Sequence, residues 1–176
     1  MDIQIKDNFL PLDTFLEFKK LVQSNKFGWY LCNVIDIPPG TEQTILEKSF
    51  VCDQINNYQL THFFYFDNAP QSKYYEECIK PFIDLLDIKS LMRAKINLNP
   101  KTEKTIRHGF HKDNDIDESF TSVFYFNTTN GYTEFENGEK IEDVENRLIK
   151  FPSHYLHSGN TCTNNSYRIV LNLNYY

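Results

Sequence analysis

The chain has no apolar run approaching the ~20 residues that a helix needs to span a bilayer. Its opening stretch, MDIQIKDNFLPLD, carries no long apolar core and does not read as a secretory signal. A soluble, cytoplasmic protein with no membrane partner is the expectation. Lysine and arginine form no cluster, and the net charge is −6. A protein that grips phosphates needs a basic stripe or patch, so nucleic acid is not the expected partner. No C-x-x-C occurs, and Cys32, Cys52, Cys78 and Cys162 stand far apart. That pattern favours reduced, partly buried thiols over a zinc site or a disulfide framework. No repeat, low-complexity tract or Gly/Ser-rich linker interrupts the 176 residues. We therefore expect one domain over 1–176.

What the chain has in abundance is aromatic side chains, 15 Phe and 11 Tyr, many of them in β-like runs. The first half is mixed. Met1 to Phe9 reads as a short strand, Gly28 to Val34 and Leu60 to Phe66 as further strands. Pro11 to Ser24 reads as a helix, with Leu12, Phe15, Leu16, Leu21 and Val22 near helical spacing. Ser72 to Leu86 reads as a second helix with Tyr75, Ile79, Phe82, Ile83 and Leu86 on its apolar side, and Pro81 is expected to kink or divide it. Asp36 to Asn57 is irregular and is broken at Pro38-Pro39-Gly40.

From Leu91 the pattern turns to strands alone: LMRAKINLN, TIRHGFHKD, FTSVFYFN, TEFENGEKI, RLIKF and YRIVLNLNYY. Asn137-Gly138 is a strong two-residue hairpin turn. Successive short antiparallel strands in one core predict an α+β protein. Residues 91–176 would form a double-sheet jelly roll, backed by a helix and strand support layer over 1–90.

Within that core, His111-Lys112-Asp113 places a histidine and a carboxylate two apart on an extended segment, which turns both to one side. His157 follows after several strands, and Arg168 lies on the terminal strand. Two imidazoles and one carboxylate on one face of an iron leave positions open, as in non-haem Fe(II) oxygenases. A guanidinium suits a carboxylate co-substrate, which it can hold by two parallel hydrogen bonds. His108 and His154 each stand three residues from the chosen histidines. On extended backbone that spacing points them to the opposite face.

Taken together, His111-Lys112-Asp113, Val123 to Asn127, Asn130 to Thr133, Asn146 to Phe151, His157 and Arg168 resemble the 2-oxoglutarate/Fe(II)-dependent dioxygenases. The likeness is strongest to the prolyl-4-hydroxylase branch, which includes small enzymes carried by bacteriophages. It covers about the last half of the chain, 91–176. The resemblance implies a double-stranded β-helix (cupin-like) core. It implies Fe(II) held by His111, Asp113 and His157, and 2-oxoglutarate held at its distal carboxylate by Arg168. Tyr125 matches a co-substrate-binding tyrosine. Asn99, or Asn97 on the same strand face, falls where the family has another. Thr133 and Asn172 match pocket positions.

The implied activity is hydroxylation of an unactivated C–H bond, with peptidyl proline as the candidate target and succinate and carbon dioxide as co-products. Molecular oxygen is the oxidant, ascorbate a candidate reductant, and a protein or peptide the expected partner. The location would be the cytoplasm, the host's if phage-encoded. One alternative is a nucleic-acid demethylase of the same superfamily. Those place a second arginine six residues past the first, where this chain has Asn174. The other alternative is an inactive jelly-roll binding module. Asp36 to Asn57 is expected to be a loop that closes over a peptide at the mouth of the site.

Overall fold

The structure, a computed structural model, describes residues 2–32, 35 and 58–176. Strand β1 (Gln4–Lys6) leads into helix α1 (Leu12–Val22), then come β2 (Tyr30–Cys32), β3 (Gln59–Phe66), β4 (Ala69–Pro70) and helix α2 (Tyr75–Leu86). After α2 the elements are strands only: β5 (Leu91–Pro100), β6 (Phe120–Tyr125), β7 (Tyr132–Phe135), β8 (Lys140–Glu142), β9 (Arg147–Pro152), β10 (His157–Ser158) and β11 (Tyr167–Tyr175).

Period-two alternation explains how they stack. Phe124 in β6 and Phe126 just past it face one apolar cluster, and Val123 and Tyr125 face another. In β11, Ile169, Leu171, Leu173 and Tyr175 belong to the first cluster and Val170 to the second. A strand apolar on both faces must be covered on both. The two strands are neighbours inside an eight-stranded antiparallel sheet of order β1-β9-β6-β11-β5-β3-β2, with β4 on β3. One face carries the helices. Phe18 of α1 meets Phe126 edge-on at 4.9 Å, and Phe82 of α2 meets Phe124 at 5.0 Å. The other face carries a three-stranded sheet, β10-β7-β8, whose Phe135 and Ile141 pack with Val123, Tyr125, Ile149, Phe151 and Val170. The two sheets make the expected jelly-roll core. Strands from both sides of Ser90 share the larger one.

Three details depart from the sequence reading. Helix α1 buries Phe15, Phe18 and Val22, spaced three and four apart, while Leu12 and Leu16 stay exposed. The apolar residues of this helix span too wide an arc. Leu12 and Leu16 lie about a quarter-turn from the buried stripe, past the edge of the sheet. Pro81 neither ends nor divides α2, which runs on to Leu86 and stops at Asp87, whose left-handed backbone (φ 52°) sends its N–H to the Ile83 carbonyl. The run TIRHGFHKD is not a strand. It touches the sheet ladder only at isolated bridges, Arg107 to Asn160 and His111 to His157. The loop from Asp36 to Asn57 lies outside the described residues. Among the described residues no helix is long and apolar enough to cross a membrane.

Candidate metal centre

The segment 107–113 runs antiparallel to 153–160. His108 N–H donates to the Gly159 carbonyl at 3.0 Å, His111 and His157 exchange both backbone bonds at 3.0 Å, and Asp113 N–H donates to the Ser153 carbonyl at 3.2 Å. Directly opposed residues of an antiparallel pair project to one side. The His111 and His157 rings accordingly stand 4.6 Å apart. Asp113, two residues beyond His111, returns to the same side. One ligating atom each from His111, Asp113 and His157 lies within 4.8 Å of the other two.

Each donor is oriented from behind. His157 Nδ1 lies 3.0 Å from the Tyr155 carbonyl, which can only accept, so Nδ1 carries the proton and Nε2 keeps its lone pair. That Nε2 is 3.7 Å from an Asp113 oxygen. Burial lowers the His157 pKa, against the pull of Asp113, and favours the neutral, ligating form. His111 is exposed, with Nδ1 3.2 Å from the Gly109 carbonyl. Burial alone would push the Asp113 carboxyl up, but Arg93, His157 and Thr121 outweigh it and hold it down at about 2. Arg93 Nη2 donates to one carboxylate oxygen at 2.6 Å and the Thr121 hydroxyl to the other at 2.7 Å. Two imidazoles and an ionised carboxylate, converging on one point, fit a ferrous ion with positions left open.

The triad lines a cavity of about 400 Å³ that also takes in Arg168, Asn97, Asn99, Thr133 and Asn172. Arg168 is fully engaged on one edge. Its Nε and Nη2 donate to the two oxygens of Asp143 at 2.6 and 2.9 Å, and both side chains are buried. Burial opposes the charge on Arg168, but Asp143 more than restores it, so its pKa is raised. The remaining nitrogen, Nη1, points past Gly159, where a Cβ would come within 3.4 Å. Tyr125 is buried beside this group, 5.7 Å from ring centre to guanidinium, with its hydroxyl 2.7 Å from that of Thr133. Asn99 Nδ2 reaches Gln59 at 3.4 Å, whereas the buried Oδ1 atoms of Asn97 and Asn172 meet no partner among the described residues.

No family profile matches the chain, and no curated protein matches it by sequence. Solved structures do match it by shape. A prolyl hydroxylase from Trichoplax adhaerens, in complex with a hypoxia-inducible-factor oxygen-degradation-domain peptide, superposes with a TM-score of 0.61. It is 15% identical over 99% of this chain and 83% of its own. The viral collagen prolyl hydroxylase of Paramecium bursaria Chlorella virus-1, in its 2-oxoglutarate complex, gives 0.58 at 15% identity over 98% and 94%. This is the fold of the 2-oxoglutarate/Fe(II) oxygenases. A non-haem α-ketoglutarate-dependent carbocyclase of nogalamycin biosynthesis shares it, with a TM-score of 0.64 at 10% identity over 98% and 78%. The fold therefore accommodates more than one outcome for the same co-substrate.

Several residues of the site escaped the sequence reading. His108 lines the same cavity as His111. The three-residue spacing argument fails because this segment bridges the ladder at single points rather than running as a pleated strand. Arg93 was legible in principle. It shares a strand face with Asn97 and Asn99 by the same period-two count, and it lies directly across the ladder from Asn174. Asp143 carried no local signal, and Gly131, legible as part of the Asn130 to Thr133 turn, gave no sign of its place against Arg168. Gly131 is required because a Cβ there would fall 2.7 Å from Asp143 and 2.8 Å from Arg168.

Proposed function

We propose that this chain is a 2-oxoglutarate- and Fe(II)-dependent dioxygenase, acting as one catalytic domain, that hydroxylates an unactivated C–H bond of a peptide substrate, with peptidyl proline as the leading target. The observation that carries the reading is the convergence of His111, Asp113 and His157 on a cavity that also receives Arg168, within the fold of the oxygenases. Fe(II), when bound, supplies the redox chemistry that couples 2-oxoglutarate breakdown and molecular oxygen to hydroxylation of the substrate.

The protein's part is binding, orientation and exclusion of water. His111, Asp113 and His157 hold the ion on one side. Tyr155 and Arg93 keep His157 and Asp113 in their ligating forms. Arg168, braced by Asp143, presents Nη1 to the distal carboxylate. Val123 and Val170 line the cavity between polar neighbours and keep part of it dry. The peptide reading draws on the likeness to prolyl hydroxylases, one of them solved with a peptide. Purified protein should release succinate only when Fe(II), 2-oxoglutarate and oxygen are all supplied, and chelation should stop it. Absence of succinate under every metal condition would favour the metal-free binding module instead.

A further inference from the structure

We propose that the substrate bears a carboxylate beside an N–H group, and that Lys95 binds that carboxylate in the cavity next to the metal triad. The proposal rests on the oxygenase reading and specifies its substrate class.

From Arg93 to Asn99 on β5, odd-numbered side chains face the cavity and even-numbered ones the core: Arg93, Lys95, Asn97 and Asn99 line the site, while Ala94 and Ile96 are buried behind it. Among the described residues, the cations Arg93, Lys112 and Arg168 along this cavity each meet a carboxylate, and Lys95 does not. Arg93 holds Asp113 at 2.6 Å, Arg168 holds Asp143 at 2.6 Å, and Lys112 reaches Asp115 at 2.8 Å. Lys95 has no carboxylate at ion-pair distance among the described residues; its amine stands 5.8 Å from the Phe63 ring. Burial pulls its pKa down and the neighbouring Arg93 adds to the effect, while Cys32 and Asp113 act against it without reaching ion-pair distance. Loading the site does not relieve this. A ferrous ion and the two carboxylates of 2-oxoglutarate cancel one another, which leaves the lysine without a counter-ion at contact distance among the described residues. Lys95 is half-buried, and a cation partly withdrawn from water with no carboxylate at contact distance favours an arriving one.

Two acceptors flank the lysine. Asn172 is its partner across the ladder, Asn97 is the next residue on its own face, and the buried Oδ1 of each lacks a donor among the described residues. One cation and two empty acceptors match a carboxylate with a nearby amide or amine N–H. An acidic residue in a peptide and a free amino acid both present that pattern.

The test uses paired probes. Proline peptides with a neighbouring Glu are compared with the same peptides carrying Gln, and free acidic amino acids with their amides. Each is titrated calorimetrically, under nitrogen, into protein loaded with Fe(II) and 2-oxoglutarate. We expect the acid member of a pair to bind at least about tenfold tighter than its amide. Whether this appears in the peptide or the free amino-acid arm identifies the source. In Lys95→Met the acid-to-amide ratio should fall to about one, and Lys95→Arg should retain most of it. Equal binding of acid and amide, or binding of neither by protein that still turns over 2-oxoglutarate, overturns the proposal. So does a Lys95→Met variant that keeps the ratio but needs tenfold more 2-oxoglutarate, because the lysine would then serve the co-substrate. Loss of 2-oxoglutarate binding and turnover in unaltered protein overturns the oxygenase reading instead.

Discussion

Two histidines three residues apart have opposite prospects at the site. His157 is buried with its Nε2 aimed at Asp113, whereas His154 sits exposed in the turn that precedes it. We expect His157→Ala to abolish Fe(II)-dependent succinate release and His154→Ala to leave most of it; the reverse result would sink the ligand assignment. Gly131 makes a different kind of contribution. It touches no ligand, yet an added methyl would overlap both members of the Asp143–Arg168 pair. Relief requires the pair to shift, and forced shifts of this sort cost about 1–3 kcal/mol. Gly131→Ala should therefore lower the unfolding midpoint and raise the 2-oxoglutarate concentration needed for half-maximal turnover. A variant with the melting temperature and saturation curve of the parent would show that the pair has room to move.

Each element contributes by the face it buries. Phe18 of α1 packs edge-on against Phe64, Phe82 and Phe126, while Leu16 stays 48% exposed on the same helix. Phe18→Ala should cost about 3–5 kcal/mol in chemical denaturation. Leu16→Ala should stay within ~0.5 kcal/mol of the parent. Comparable losses would mean that the helix sits differently on the sheet. Strand β3 carries a buried histidine outside the metal site. His62 lies between Phe27 and Phe64, donates through Nδ1 to the Gly28 carbonyl at 2.7 Å, and leaves Nε2 buried without a partner among the described residues. Burial lowers its pKa below the ordinary 6.5, opposed by the Gly28 carbonyl. The folded state then binds fewer protons than the unfolded chain, so stability is present above the unfolded value and is lost as pH falls below it. Between pH ~7 and ~5, His62→Phe should show a shallower fall in melting temperature than the parent protein. Parallel curves would assign the acid sensitivity elsewhere.

At the scale of the whole molecule, ligand binding should register as stability, since the cavity is walled by strands of both sheets. Mn(II), as a redox-silent stand-in, and 2-oxoglutarate at ~100 times its dissociation constant should add about 2.7 kcal/mol, several degrees of melting temperature for a chain of this size. Arg168→Ala should lose the 2-oxoglutarate part of that shift and keep the metal part. An undiminished shift in the variant would remove Arg168 from the co-substrate site. The sequence alone was enough to specify a strand-only second half and a turn at Asn137-Gly138, because alternation with a period of two and a glycine that accepts a positive φ are local properties; the turn itself closes as a three-residue loop, with Gly138 N–H donating to the Phe135 carbonyl and Gly138 at φ 84°. The sequence could not decide which side of α1 meets the sheet, because that helix is apolar over more of its circumference than the sheet can cover. Nor could it bring Asp143 to Arg168 or Arg93 to Asp113, or leave Lys95 without a counter-ion among the described residues. Those pairings join residues 20 or more positions apart on separate strands or loops. Only the register of the antiparallel ladders and the closing of one sheet over the other determine which charges meet and which do not.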